Sequence, residues 1–565
     1  NLRMKKINFI MPIVLSVFSA AFAQETLKST EEEYYDFLSL TGAAERPTLN
    51  YRTLSDSEWQ VTDENHLWKD NNLGTKRTLY ESDSTETNWF TAGIDSSVKL
   101  KLYGPEWFNS YNTKAPYGQN DGALWQGKGY NTSLTAGARL EAFGFEATFK
   151  PQVSWSQNRE FDYITPNYPK TDANGTPTAY SGKAAKYGYY GVPSIDAPQR
   201  FGSSSFWTFD WGDTEIRYSW KNLTAGFGTQ AIWLGPAQLN PIIHSNNAAA
   251  YPKFDIGLRK TPVYMPYLGW YLGEIEGRGW WGKLSESDYF DNDSSNDSNL
   301  ITGVSTAYAL PGIFQGLSIG LNRTMLSKWN DKSIYALTHI YTPFDSDGGK
   351  DKNDQRFSFT ADWLFEKNGL EIYLEWGRND YSPDTHYILR YPFHTQGWTA
   401  GLRKIVELKN ANTLELLIEC TNLESSRDYS LLWPTTFYAH HIIEQGYTNK
   451  GQWLGAGIGT GGNSQYLGIK YRTQKSSYTA FIQRRNQDLD YTWYFDDNSD
   501  EKTETSIRAS LDFGIGAVFF VKQSLQLNTT FVLNRNFNAT NDDNDKNAKS
   551  LNFNFVYQFG IKYNF

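Results

Sequence analysis

The sequence predicts an all-β transmembrane barrel of about 18 antiparallel strands, preceded by a small N-terminal helical element. Three observations carry this. Segments of strict apolar/polar alternation recur from residue 91 to the end, as strands with one apolar and one polar face require. Charges occupy the interleaved positions, where an Arg or Lys facing lipid at the midplane would cost roughly 2–4 kcal/mol, so they must face a lumen. The gaps between segments are short and long by turns, which is how such barrels keep tight turns at one end and larger loops at the other.

Composition agrees. The 565 residues include 20 Trp, 37 Tyr and 34 Phe, a net charge of -9 and a single cysteine. No run of about 20 apolar residues follows the N-terminus, so spanning helices are excluded. Mild acidity points to no nucleic-acid partner, and one cysteine forbids an intrachain disulfide. Cys420 falls on an apolar strand face, as a small hydrophobe rather than a nucleophile.

From Met4 the chain reads MKKINFIMPIVLSVFSAAFAQ. Lys5 and Lys6, a short apolar run and Ala21-Phe22-Ala23 predict a signal peptide over 1–23, too short to serve as an anchor helix. Residues 24–90 are expected to form a periplasmic helical element. Ser29 and Glu32 make a capping box, Tyr34, Phe37 and Leu38 share a face, and Gly42 stops the helix. A second short helix is expected near 55–59.

Residues 91–565 are assigned to the barrel. Phe357/Phe359/Ala361/Trp363/Phe365 and Leu414/Leu416/Ile418/Cys420 show the apolar face; Glu371, Glu375, Glu415, Glu419 and Asp512 show the lumenal one. The last fifteen residues, LNFNFVYQFGIKYNF, close the barrel with rings on one face and mostly amides on the other. Short gaps fall at 143–144, 221–222, 261–266, 310–315, 367–369, 408–412, 473–477 and 520–524. Long ones fall at 104–129, 158–212, 234–252, 285–299, 324–354, 380–395, 423–464, 488–504 and 537–548. An even count places both termini on the short-turn, periplasmic side.

Function should lie in the long loops. The first of them sets Trp107, Phe108, Tyr111, Tyr117, Trp125 and Tyr130 among Asn, Gln and Gly. Rings beside amides suit a sugar, with its apolar C–H faces and hydroxyl rim; the competing reading is an interfacial aromatic girdle. Acidic stretches at 288–299, 345–354 and 541–547 read as solvated loops. The stretch from Asp291 lacks the glycine and bidentate glutamate of a calcium loop, with Asn296 and Thr302 in their places. His440-His441-x-x-Glu444 lacks the i, i+4 spacing of a helical metal site. No G-x-S-x-G, P-loop or polar-set cysteine marks an enzyme, and His244, His386 and His394 have no spacing that selects a triad. Neither cofactor nor metal is expected.

The most specific stretch is QAIWLGPAQLNPIIHSNNAAAYPKFDIGLRK, 230–260. Its Trp233-x-Gly235-Pro236 and Ser245-Asn246-Asn247-Ala248, with NDGALWQGKG in the first long loop, resemble outer-membrane capsule assembly proteins of the Wzi type. The resemblance implies an 18-stranded barrel with a periplasmic helical element, and a lectin-like, non-catalytic role retaining capsular or other surface polysaccharide. Trp107, Tyr111, Trp125, Asn246 and Asn247 are the candidate polysaccharide-binding residues. The parity that Trp233 shares with Leu223 and Phe227 favours the lipid-side girdle for that ring; a motif pinning the loop inside the barrel is the other reading. The expected setting is the bacterial outer membrane, as a monomer among lipid and lipopolysaccharide. A passive or substrate-selective channel is the alternative, and a barrel enzyme acting on lipid a remote third.

Overall fold

The computed structural model describes residues 29–56, 58–73, 75–81, 94–164, 166, 181–189, 195–329, 353–379, 385–426, 437–490, 508–540 and 553–565. The signal segment, most of the acidic stretch 345–354 and all of 541–547 lie outside them.

Eighteen antiparallel strands form a closed barrel in which sequence neighbours are spatial neighbours. Closure is made by the last strand, Phe553–Tyr563, pairing with the first, Val98–Asn112, from Val556↔Asn112 to Lys562↔Glu106. The third strand is interrupted between Phe145–Phe149 and Gln152–Ser156, where Pro151 has no N–H to give the ladder. Connections at one end are short, as at 143–144, 221–222 and 523–524; those at the other are long. Phe143 and Gly144 both have positive φ, as a two-residue turn matching strand twist requires. The outer face is mainly apolar, with Leu140, Phe227, Ile256, Phe359, Ile515 and Phe555 among its exposed side chains.

Strand extends into several stretches read as gaps, among them Phe206–Asp210 and the end of Leu317–Lys328, and a bulge accounts for two others. The stretch read as a loop from 104 is strand as far as Asn112. Register shifts between Tyr103 and Glu106 insert one extra residue, which exchanges the two faces. Leu100 and Leu102 face outward before it; Trp107 and Tyr111 do so after it, while Glu106, Ser110 and Asn112 are buried inside. The strand Lys253–Tyr264 likewise runs through Thr261-Pro262 past a register shift after Leu258, moving the turn to 265–270.

The helix Thr30–Ser39 forms as expected, with the Ser29 hydroxyl accepting from Glu32 N–H at 3.2 Å. It closes the short-turn end, where Tyr34 stacks on Trp68 at 4.4 Å and Trp68 meets Phe520 and donates to Thr473 O. No helix forms over 55–59 among the described residues. Ser55 and Asp56 are instead buried, because the chain after the helix turns up into the lumen. Leu49, Asn50 and Tyr51 donate their N–H groups to the Glu276 carboxylate at 2.8, 3.0 and 2.7 Å. Asp56 is gripped by Arg259 and Arg278, and Arg46 and Arg403 share Asp36 and Glu371.

The long-loop end is filled from above in the same manner. The Trp233 expectation fails because the strand Leu223–Gly228 ends five residues earlier and the chain folds inward, so parity no longer applies. Trp233 is fully buried, its indole N–H donating to Ala237 O at 3.0 Å, and Trp233–Leu234 pairs with Tyr51–Arg52. Gln238, Leu239 and Asn240 donate backbone N–H groups to Glu419, and Ile242 to Glu375. Residues 437–462 join this insertion. Ile232, Ile242, Ile243, Tyr438, Ile443 and Leu454 form one apolar core against Trp280 and Leu326 of the wall. Burying the side chains removes them from water, and the wall carboxylates satisfy backbone donors that would otherwise be left unpaired.

Candidate functional site: a polar and aromatic cavity at the long-loop mouth

Above this core lies a cavity of about 300 Å³. It is built from four loops and the ends of the strands Ser476–Asn486, Ala509–Lys522 and Leu525–Phe537. Seven rings line it: Tyr117, Trp125, Phe161, Tyr163, Tyr189, Trp453 and Phe537. Trp453 is held by stacking on Tyr438 at 6.0 Å and by the edge of Tyr189 at 5.7 Å. Trp125 leans on Phe201 at 4.9 Å, and its buried indole N–H has no acceptor among the described residues.

The polar lining is fixed from behind. Asp512 accepts from Arg485 at 2.9 Å, from Tyr117 O–H at 3.3 Å and from Asn534, while Arg485 lies over the Tyr117 ring at 5.2 Å. Asp488 pairs with Arg508. Below them Asp490 accepts from Ser425 N–H and hydroxyl at about 3.1 Å; burial pushes its carboxyl up to about 8 despite those bonds. Burial likewise raises Asp121 to about 7, against a hydrogen bond from Gln126. Rings fixed at their edges, beside charged and amide groups already oriented, give a pre-formed surface for a ligand with alternating apolar and hydroxyl faces.

Two of the sequence candidates meet here and three lie elsewhere. Trp125 and Asn247 both line the cavity. The Asn247 amide ties loops together: its oxygen accepts from Asn120 N–H at 3.0 Å and its nitrogen donates to Trp453 O at 3.1 Å. Asn246 turns the other way, buried and without a partner for its amide, into a separate void of about 40 Å³ beside Lys150, Gln152, Asp210 and Asp213. A polar void of that size suits an ordered water. Trp107 and Tyr111 are on the outer face, 44% and 41% exposed, with Tyr111 in register with the outward-facing Tyr130 and Tyr557. The bulge at Gly104-Pro105 put them there.

Trp453, Tyr189 and Arg485 were not singled out in the sequence. A signal existed for the first: QWLGAGIGTGGN, 452–463, is too apolar and glycine-rich for a solvated loop. His244, left unassigned above, is structural. Its Nδ1 lies between Ile232 O and Ser245 O, its Nε2 meets Tyr251 O–H at 2.8 Å, and burial with Lys253 nearby lowers its pKa to about 3. His440 Nδ1 accepts from Ile442 and Ile443 N–H within a local turn. In the stretch 288–299, Asp291 and Asp293 accept from backbone N–H groups two residues on.

A family model described as capsule assembly protein Wzi matches residues 109–551. Among solved structures, the chain superposes on one described as Wzi, an outer membrane protein involved in group 1 capsule assembly in Escherichia coli and a carbohydrate binding β-barrel. Identity is 13%, coverage 82% of this chain and 85% of that one, and the TM-score 0.53. OccK8 (OprE) of Pseudomonas aeruginosa aligns at 9% identity over 84% of this chain and 99% of its own, with a TM-score of 0.36. A sequence search of characterised proteins returned no match.

Proposed function

Because the chain belongs to the Wzi capsule assembly family, we propose that it binds surface polysaccharide at its long-loop mouth and retains it on the cell, without catalysis. The observation that carries this reading is the cavity of about 300 Å³ lined by seven rings and by pre-oriented polar groups. In this orientation the short turns and both termini face the periplasm, and the mouth faces the medium. The apolar outer face with its Tyr111, Tyr130 and Tyr557 girdle meets outer-membrane lipid and lipopolysaccharide, and each barrel acts as a monomer. Trp125 and Asn247 contribute to the glycan site, the first as a stacking surface and the second by holding loops in place. Asn246 supports it from behind through water, and Trp107 and Tyr111 belong to the girdle. Insertions from both ends occupy the lumen, which supports a binder over a channel.

The test compares cell-bound with released polysaccharide in a parent strain, a deletion strain and the complemented deletion. A shift into the medium at constant total, reversed by complementation, is the expected result. Unchanged retention with a large steady single-channel current in a planar bilayer would favour the channel instead.

A further inference from the structure

Below the mouth, the lumen holds a second cavity of about 490 Å³. Both volumes lie within the roughly 300–1,000 Å³ of small-molecule pockets. The inner chamber sits between the two insertions. Gln119, Asn120, Gln238 and Leu239 line it from the long-loop side, and Thr30, Glu33, Tyr34 and Trp68 from the helix side.

The strands explain why this space is vacant. On Ala509–Lys522, Leu525–Phe537 and Phe553–Tyr563 the inward positions include Gly514, Gly516, Asn528, Thr530, Gln558 and Gly560. Apart from Gln558, these side chains are short and leave the space open. Two rings occupy the neighbouring wall, Tyr466 and Phe481, stacked at 5.5 Å and 25°. Each lies over a glycine: a Cβ on Gly514 would fall 2.1 Å from the Phe481 ring, and one on Gly468 2.7 Å from that of Tyr466. The glycines thus let the rings lie flat on the wall and remain half-exposed to the chamber. Lys470, Asn528, Thr530 and Gln558 surround them with donors and acceptors.

The loop 117–126 divides the chamber from the mouth, with Gly118 and Asp121 lining the mouth and Gln119 and Asn120 the chamber. Its Tyr117 and Gln126 line the mouth, with Gln558 of the chamber wall donating to Gln126 at 3.4 Å and Arg485 over Tyr117. We propose that the inner chamber is a second carbohydrate subsite, in line with the first, where Tyr466 and Phe481 form the stacking platform for a terminal sugar unit. This rests on the glycan-binding reading of the mouth.

The experiment uses full-length protein carrying Cys420→Ala, with Thr530→Cys reporting the chamber or Asn536→Cys reporting the mouth. Reaction with a small thiol reagent is timed with and without oligosaccharides of two to four units, released by partial hydrolysis of the host strain's own surface polysaccharide. The proposal expects at least a fivefold slowing at both cysteines, and loss of the slowing at residue 530 alone when Phe481→Ala is added. Slowing at 536 without slowing at 530 overturns the inner subsite and leaves the mouth reading intact. Protection of 530 that survives Phe481→Ala means the filled mouth merely blocks the reagent, and also overturns it. No slowing at either cysteine removes both readings. Heat-shifted gel mobility, a property of intact barrels, checks that each variant is folded.

Discussion

One half of the barrel wall is bound to the insertions by charge networks, and the other half meets them through scattered contacts such as those of Asp512, Phe520 and Gln558. From Glu215–Trp220 to Gln396–Glu407, many inward side chains are long and ionised, with the neutral Ser305 and Asn322 between them. Arg217 joins Glu215 to Asp255, Arg278 joins Asp255 to Asp56, and Arg403 joins Glu371 to Glu415 and Asp36. From Ala509–Lys522 to Phe553–Tyr563 they are largely glycine, threonine and amide, and the two cavities lie along that side. The same alternation, apolar outside and polar inside, builds both halves. The length and charge of the inward residue decide whether the wall holds a plug or leaves space for a ligand.

The sharpest way to break this comparison is to remove one charge from the bound half. Asp56 is buried against Arg259 and Arg278, so Asp56→Ala takes one carboxylate from each guanidinium and leaves them Glu146 and Asp255. Loss of about 1.5–3 kcal/mol is expected in denaturant unfolding. A loss under about 1 kcal/mol would mean that the network does not hold the insertion.

The bound half and the mouth should also respond to pH in opposite directions. Burial alone would raise the Asp56 carboxyl, but Arg278, Arg259 and Arg217 outweigh it and hold the group below its ordinary 3.8. Its contribution is therefore present above about pH 4 and is lost as pH falls. Asp490 is raised to about 8 by burial, so its contribution is present below about pH 4 and is lost as pH rises through 8. Hydrogen exchange should accordingly speed up at 46–56 in acid, and at 423–426 above pH 8. In Asp490→Asn the alkaline response should vanish while the acid one stays.

The smallest effect is expected in the vacant half. Thr530→Val should change stability by no more than about 0.5 kcal/mol, since Thr530 faces the chamber rather than an insertion. A larger loss would show that the chamber wall bears load after all.

The sequence made the barrel legible because alternation is a property of each strand, readable without its partners. The capping box at Ser29 was legible for the same reason. Tertiary effects were not. A single extra residue at Gly104-Pro105 carried Trp107 and Tyr111 from a presumed loop to the outer face. Trp233 was misplaced because strand parity was extended past Gly228, where the chain leaves the sheet. The better clue was composition: Ile232, Leu234, Ile242 and Ile243, like Ile443, Leu454 and Ile458, are too apolar for loops left in water. Such loops must fold back onto something, and in a barrel the lumen is the available interior. Which rings would converge on the mouth depended on that folding, so Trp125 was found and Trp453 was not.

The central claim is that the mouth binds glycan and the girdle does not. Titration calorimetry of the purified protein with the host strain's polysaccharide fragments tests it most directly, comparing Trp125→Ala/Trp453→Ala with Trp107→Ala/Tyr111→Ala. At least a tenfold loss of affinity in the mouth pair, about 1.4 kcal/mol, with wild-type affinity in the girdle pair, is predicted. Equal affinity in the mouth pair, or loss confined to the girdle pair, would contradict it.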